Sequence, residues 1–251
     1  MATSRQHAQE LIADRRVTVG GASTTKATRQ VSPAEPLLVR GPPARFVGRG
    51  AQKLEGALNA FKINVSGRHG LDVGSSTGGF TDCLLQAGAA SVVAVDVGTN
   101  QLHERLRANP RVDVRESTDI RTITPDLFVD DSLRSGGFGV IVADLSFIST
   151  TSLLPVLAPL LAPDGDVIVL VKPQFEAGRQ EVSKGRGIIR NPEIWKRVLH
   201  DFIHRAVDAG LEVVDLATSP ITGGKGNVEF LAHLRLTDIL TDVTPEEEKN
   251  P

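Results

Sequence analysis

The segment Gly70-Leu-Asp-Val-Gly-Ser-Ser-Thr-Gly-Gly-Phe-Thr-Asp82, followed by Ser91-Val-Val-Ala-Val-Asp96, constrains the fold more than any other stretch of the chain. An apolar strand ends at Val73, a glycine-rich turn follows, a helix is predicted from Gly78, and a second strand ends in an acid 24 residues after Asp72. That is the first βαβ unit of a doubly wound nucleotide-type sheet. The spacing Gly74-x-x-x-Gly78-Gly79 is not the dinucleotide fingerprint. Phe80 and Thr81 stand where a phosphate loop needs Lys and Ser/Thr, which argues against an NTPase. A glycine turn lets backbone approach a ligand closely, and Asp96 can accept hydrogen bonds from ribose hydroxyls. S-adenosylmethionine needs both features and no pyrophosphate cradle. The candidate cofactor residues are therefore Asp72, Gly74, Ser75, Ser76, Thr77, Gly78, Gly79, Phe80 and Asp96, with Asp144 at the end of a later strand beside them. Asp119 and Ile120, after the third strand, fall where adenine is often held. The competing readings are a turn whose glycines serve packing alone and, at Asp119, a simple turn.

Composition removes several classes of function. With 251 residues and 40% apolar content the chain can bury a full core, as one main domain plus a small appendage. The single cysteine, Cys83, rules out a disulfide framework, fits a reducing cytoplasm, and reads as a small buried apolar group. No signal peptide is expected. The longest mostly apolar stretch, 153–162, is too short to span a bilayer and contains Pro155 and Pro159. A membrane role is therefore not expected. The net charge of −2 conceals an asymmetry: residues 1–53 hold nine Lys/Arg against three acids, whereas residues 238–251 hold five acids and one lysine. The basic front is where a polyanion would dock, through Arg5, Arg15, Arg16, Arg45 and Arg49. The acidic tail reads as solvated.

Along the chain, residues 4–13 read as a helix capped by Ser4, residues 17–19 as a short strand, and the proline-bearing stretch 32–45 as extended linker. The predicted main domain opens with a helix over 51–61. Seven strands follow at 70–73, 91–96, 112–115, 139–144, 166–172, 212–218 and 228–236, with helices at 78–87, 99–107, 149–161 and 192–209. Only the Pro/Gly-rich loop 219–227 joins the last two strands, so they must pair as an antiparallel hairpin. The expected fold is α/β and Rossmann-like: a class I S-adenosylmethionine-dependent methyltransferase sheet of seven strands whose last runs antiparallel. The boundaries are 1–40 for the front domain, 41–50 for a linker, 51–237 for the methyltransferase domain and 238–251 for the tail.

Four charged residues occupy positions that packing would not choose. Asp144 ends Val140-Ile-Val-Ala-Asp144, Lys172 ends Val167-Ile-Val-Leu-Val-Lys172, Glu229 begins the final strand, and Lys53 lies in the first helix of the domain. In an open α/β sheet the carboxyl ends of the strands line the ligand crevice. Methyl transfer is an in-line displacement, so the protein has to position a nucleophile and remove its proton. A ribose 2′-hydroxyl is a weak acid. A neutral lysine amine can deprotonate it where burial and neighbouring cations favour that form. Lys172 is the candidate base, with Lys53 the second cation and Asp144 and Glu229 orienting the amines. Asp144-Leu-Ser-Phe147 lacks the prolines of an adenine N-methyltransferase motif, and Cys83 is misplaced for a base C5-methyltransferase. The bland alternatives are a solvated strand-end lysine and an aspartate acting as a cap. His200 and His204 have metal-ligand spacing but no third ligand beside them, so no metal is expected. Trp195 reads as core or interface rather than a base-stacking platform.

These residues resemble the TlyA family. The matching runs are Arg49-Gly-x-x-Lys53-Leu, Asp72-Val-Gly-Ser-Ser-Thr-Gly-Gly-Phe-Thr-Asp82, Ala143-Asp-Leu-Ser-Phe-Ile148, Val171-Lys-Pro-Gln-Phe-Glu176, Lys184-Gly-Arg-Gly-Ile-Ile-Arg190 and Gly226-Asn-Val-Glu229-Phe. The resemblance implies a ribosomal RNA 2′-O-methyltransferase, also labelled haemolysin. It implies a Lys-Asp-Lys-Glu tetrad on Lys53, Asp144, Lys172 and Glu229, and methylation of a cytidine ribose in 16S and/or 23S rRNA. The expected partners are ribosomal RNA and the 30S or 50S subunit, with no membrane and no metal. The expected state is a cytoplasmic monomer. Residues 1–40 resemble a shortened S4 RNA-binding fold that begins at its second helix. The alternatives are a non-catalytic rRNA-binding assembly factor and a haemolysin-like membrane-active protein.

Overall fold

The computed structural model describes residues 5–41, 45–124, 136–146, 148–223 and 226–237. The proposed Ser4 cap, Pro42, Pro43, Phe147, Gly224, Lys225 and the acidic tail lie outside the described residues, as does the side chain of Arg5.

The front segment builds α1 (Arg5–Ala13), β1 (Val17–Val19), β2 (Ala22–Ser23) and β3 (Leu37–Val39). The three strands form a sheet in the order β2-β1-β3, all antiparallel, with Val17 opposite Val39 and Val19 opposite Leu37. The stretch 32–45 is therefore not all linker, because Leu37–Val39 completes this sheet. Four prolines masked a strand of three apolar residues. Leu11, Val17 and Val19 form the small core, with Ile12 against it.

The main sheet follows α2 (Ala51–Phe61). Its strands are β4 (His69–Val73), β5 (Ser91–Val95), β6 (Val112–Arg115), β7 (Phe138–Ala143), β8 (Leu161–Val171), β9 (Leu211–Thr218) and β10 (Phe230–Leu236). They lie in the order β6-β5-β4-β7-β8-β10-β9, and β10 runs antiparallel to both neighbours, as expected. The helices are α3 (Gly79–Gln86), α4 (Glu104–Arg107), α5 (Leu154–Leu157), α6 (Pro173–Glu176), α7 (Arg179–Lys184) and α8 (Pro192–Asp208).

Side chains alternate across a strand with a period of two, and here that alternation sorts the core into two layers. Leu71, Val73, Val93, Val95, Ile141, Val167, Val169 and Val171 face the layer containing Phe202 and Ala206 of α8. Val92, Ala94, Val140, Val142, Ile168 and Leu170 face the layer containing Leu54 of α2 and Leu84 of α3. Each such fully buried aliphatic side chain contributes about 1.5–3 kcal/mol. Continuing the even positions of β7 and β8 past the strand ends brings Asp144 and Lys172 to the α2 side.

Two predicted helices are shorter than expected. Instead of a helix over 99–107 there is only α4, because the Glu116 carboxylate accepts the N–H groups of Asn100, Gln101 and Leu102 and holds 100–102 as a loop. The predicted 149–161 helix is three short pieces: a 3₁₀ turn at Thr150–Leu153, α5, and a second 3₁₀ turn at Ala158–Leu160. Pro155 and Pro159 lack the N–H that a continuous helix would use. β8 begins earlier than expected, at Leu161 rather than 166.

Asp166, on β8 and almost wholly buried, ties β8 and β10 to the residue preceding β4 at the end of the sheet away from the turn. It accepts from Arg68 Nη1 (2.6 Å), His233 Nε2 (2.7 Å) and Arg235 Nε (2.9 Å). Burial alone would raise its pKa, but the hydrogen bonds from His233, Arg235 and Arg68 hold the carboxyl well below the usual range. Asp166→Ala should destabilise the fold by about 3 kcal/mol, since His233 and both arginines lose a buried anion. A lowered urea midpoint with an unchanged slope is the expected readout.

Candidate active site

The glycine turn after β4 has the backbone that its sequence demands. Gly74 has φ +81° and Gly78 φ +93°, in the left-handed region where a Cβ is strained. At Gly78 a Cβ would also collide with Leu106. The turn is held by Asp96, whose Oδ2 accepts from Ser76 N (2.8 Å) and Oδ1 from Gly98 N (2.7 Å). Each oxygen keeps lone-pair capacity for a ribose hydroxyl. Val97, next to that acid, is 68% exposed, an apolar surface that the sequence reading overlooked. The signal was there: a valine directly after a strand-ending acid has no core to enter.

Asp72 lies beneath the turn, 1% exposed. Its Oδ2 accepts from Thr81 N (2.8 Å) and Thr81 Oγ1 (2.6 Å), while its Oδ1 is buried without a partner. An orphaned buried carboxylate oxygen beside a glycine turn suits a cationic ligand such as the sulfonium-bearing amino acid of S-adenosylmethionine. Burial pushes the Asp72 pKa up to about 7 against the two Thr81 hydrogen bonds, and the Asp144 and Asp96 charges add to the rise.

The other candidates divide. Ser75 is buried, and Ser76 and Thr77 are exposed on the turn. Gly79 opens α3 against the Ala51 amide. Phe80 is buried in the α2-side core, which leaves only its backbone for a ligand. Ile120 is likewise a core residue. Asp119 caps the 3₁₀ turn Ile120–Thr122 and pairs with Arg121 at 2.5 Å; the hydrogen bonds from Arg121 lower its pKa to about 2.

The four charged residues do converge. Lys53 lies within the buried stripe of α2, beside Ala51, Leu54, Ala57 and Leu58, so the helix carries its ammonium to the sheet rim. Lys53 Nζ is 3.0 Å from Asp144 Oδ2 and 2.7 Å from Glu229 Oε2. The Glu229 contact is an ion pair without hydrogen-bond alignment. Lys172 Nζ is 2.5 Å from Asp144 Oδ1 and donates to Leu145 O at 2.7 Å. Burial would raise the Asp144 pKa, but the charges of Lys172 and Lys53 outweigh it and lower it. Gly223 closes over the Glu229 carboxylate so tightly that a Cβ there would strike it. Two lysines and two carboxylates thus form a charge-balanced chain, in the order Glu229, Lys53, Asp144, Lys172, beside the turn. It can orient a hydroxyl and hold or accept its proton.

The remaining sequence candidates lie elsewhere. Arg16 Nε donates to Arg40 O (2.9 Å) in the front segment. Arg45 pairs with Glu55 and covers the Phe46 ring. Arg49 sits just before α2 with its carbonyl accepting from Gln52 N. Arg15 is exposed. The linker end is fastened to the site region, because Val47 N donates to Asp82 Oδ2 at 2.8 Å. Trp195 donates to Ile189 O and packs edge-on against Phe230, within the chain's own packing. His200 and His204 face each other at 3.1 Å (Nε2 to Nε2) on an exposed face of α8. Cys83 is buried, and burial foremost pushes its thiol up to about 12.

Comparison with known proteins places these features in a lineage. The profile of the FtsJ-like methyltransferase family matches residues 46–236. The 16S/23S rRNA (cytidine-2′-O)-methyltransferase TlyA of Mycobacterium tuberculosis is 44% identical over 94% of this chain and 85% of its own. Hemolysin A of Brachyspira hyodysenteriae is 41% identical over 92% of this chain and 93% of its own. A solved chain carrying the name hemolysin, from Streptococcus thermophilus, superposes with TM-score 0.77 at 42% identity, covering 94% of this chain and 84% of that one.

Asp72 gives the folded chain a proton that the unfolded chain loses above pH 3.8. Its folded pKa is raised to about 7, so this stabilisation is full below pH 3.8 and declines as pH rises to 7. The total is roughly 4 kcal/mol. Asp72→Asn should flatten the fall in urea stability between about pH 4 and 7. An identical slope in the variant would disprove the assignment.

Proposed function

The chain belongs to the TlyA group of the FtsJ-like methyltransferase family, and from that premise we propose that it methylates cytidine 2′-hydroxyls of ribosomal RNA with S-adenosylmethionine as donor. The observation that carries the reading is the meeting of Lys53, Asp144, Lys172 and Glu229 at the rim of the sheet, next to the glycine turn. S-adenosylmethionine supplies an electrophilic methyl group. The turn 74–79 and Asp96 would hold its nucleoside end, Val97 would face its adenine, and Asp72 would lie under its charged end.

In this reading Lys172, once it has given up its ammonium proton, takes the proton of the ribose hydroxyl. Leu145 O and Asp144 fix the direction of its Nζ. Asp144 lies between the two lysines, so one carboxylate sets the position of both nitrogens. Lys53 holds Glu229 in place and keeps positive charge close to the oxygen that loses its proton. General-base catalysis typically contributes about 10²–10⁴-fold.

The front segment, which resembles part of an S4 fold, would grip folded rRNA through phosphates and 2′-hydroxyls, because A-form RNA hides its base edges from side chains. The target nucleotide would leave its stack to reach the rim. Action on 30S or 50S subunits, as a monomer in the cytoplasm, completes the proposal. The haemolysin name borne by two relatives has no counterpart in a spanning helix: among the described residues no helix is long and apolar enough to cross a membrane.

The test is transfer of labelled methyl to purified, unmethylated 30S and 50S subunits with nucleoside mapping. The expected product is 2′-O-methylcytidine, and Lys172→Ala should lower turnover by roughly 10²–10⁴-fold while cofactor binding persists. Unchanged turnover in that variant would overturn the role of Lys172. In the front segment, Arg15→Ala should weaken RNA binding and reduce the salt slope by about one unit, whereas Arg16, which supports Arg40, should act through stability as well. An unaltered salt slope would remove Arg15 from the interface.

A further inference from the structure

Glu176 lies outside the chain of four charges but joins the two segments that carry its centre. Its carboxylate accepts from Ser149 Oγ (2.5 Å), Thr150 N (2.7 Å) and Thr151 Oγ1 (2.9 Å), all on the segment that leaves β7 beyond Asp144. Its own helix, α6, begins directly after Lys172. Phe175 N and Glu176 N both donate to Lys172 O, at 2.8 and 3.2 Å. The same four-residue helix therefore closes the backbone of Lys172 and captures the segment beyond Asp144.

The strap has two further fastenings. Thr150 Oγ1 donates to Leu170 O at 2.9 Å, two residues before Lys172, and Lys172 Nζ donates to Leu145 O on the other side. Ser149 occupies the N-cap position of its 3₁₀ turn, yet its hydroxyl makes no local cap bond and donates to Glu176 instead. A local cap was available to this sequence, and the structure uses a cross-segment carboxylate in its place. Bonds to an ionised acceptor are about twice as strong as neutral ones, so three of them on one carboxylate make this the stiffest joint between the two loops.

We propose that Glu176 is a positioning residue for methyl transfer, locking the Asp144 and Lys172 segments together so that the Lys172 amine stays aimed between Asp144 and Leu145 O. This rests on the reading of Lys172 as the base. Without Glu176 the two loops keep the bonds at Leu170 O and Leu145 O but lose the carboxylate that joins them, and the amine can drift from the line along which it meets a hydroxyl. Misplacement of a reacting group by about 1 Å costs on the order of 10²-fold in rate.

The experiment compares Glu176→Ala and Glu176→Gln with wild type in the full chain. It measures kcat and KM on unmethylated ribosomal subunits, the cofactor Kd by calorimetry, and Tm. For Glu176→Ala the expected result is a kcat lower by about 10²-fold with the cofactor Kd and the subunit KM unchanged. Glu176→Gln should keep most of the rate, because its amide oxygen still accepts from Thr150 N and its amide nitrogen can donate to the two hydroxyls. A wild-type kcat in Glu176→Ala would overturn the proposal, and so would a parallel loss of kcat, cofactor affinity and Tm, the mark of general loosening. If Glu176→Ala does not fold, Ser149→Ala combined with Thr151→Val decides instead: a lower kcat at unchanged Kd is expected, and an unchanged kcat overturns it. Full activity of Glu176→Ala alongside an inactive Lys172→Ala would sink only the positioning role. Absence of methyl transfer by the wild type would sink the functional reading and this inference together.

Discussion

An ammonium held between two carboxylates from different parts of the sheet is the interaction on which the site depends. Lys53 reaches Asp144 at the end of β7 and Glu229 at the start of β10, and Asp144 passes the contact on to Lys172 at the end of β8. Burying any one of these charges alone would cost several kcal/mol, and the cost is tolerable only because each has an opposite charge within reach. The consequence is mutual dependence. α2 has to pack where it does for Lys53 to neutralise Glu229. β10 has to run antiparallel for Glu229 to arrive at the same rim as Asp144 and Lys172.

The turn between β4 and α3 follows a different principle. Its shape is fixed by glycines at positive φ and by Asp96 accepting the Ser76 N–H, so it stands ready with little need of rearrangement. Beneath it Asp72 is left with one oxygen unpaired. One site thus combines a satisfied charge network, which is rigid, with an unsatisfied acceptor, which has something to gain from a cationic guest.

Much of this was legible in the sequence because the information was periodic or punctuated. The strands β4, β5, β7 and β8 are apolar runs that end in Asp72-Val73, Asp96, Asp144 and Lys172, and the short loop 219–227 allowed only a hairpin. The tetrad could be named because each member interrupts an apolar pattern at a strand end or on a buried helix face. What stayed hidden is instructive. β3 consists of three residues among prolines, too short to show alternation. The loop at 100–102 is held by Glu116, a side chain that local propensity says nothing about. Phe80 and Ile120 were read as ligand neighbours because they flank the right turns, but an apolar side chain at such a place has a core to enter, and both do. Arg16 and Arg45 were counted as free positive charge, whereas the fold uses both guanidinium groups for itself. Glu176 was visible only as the end of a matching run, and its role was not, since its three donors lie 25 to 27 positions away in sequence.

The sorting of the core into odd and even layers also sets how such a chain can change over generations. Exchanging one aliphatic residue of β8 for another leaves every other side chain on its own face. Inserting a single residue between 167 and 171 would instead turn Lys172 toward the α8 layer and bring a valine to the rim, ending the chemistry while keeping every letter. Lineages of this architecture should therefore tolerate spelling changes within their central strands far better than changes of length, and confine the latter to the loops and to the ends.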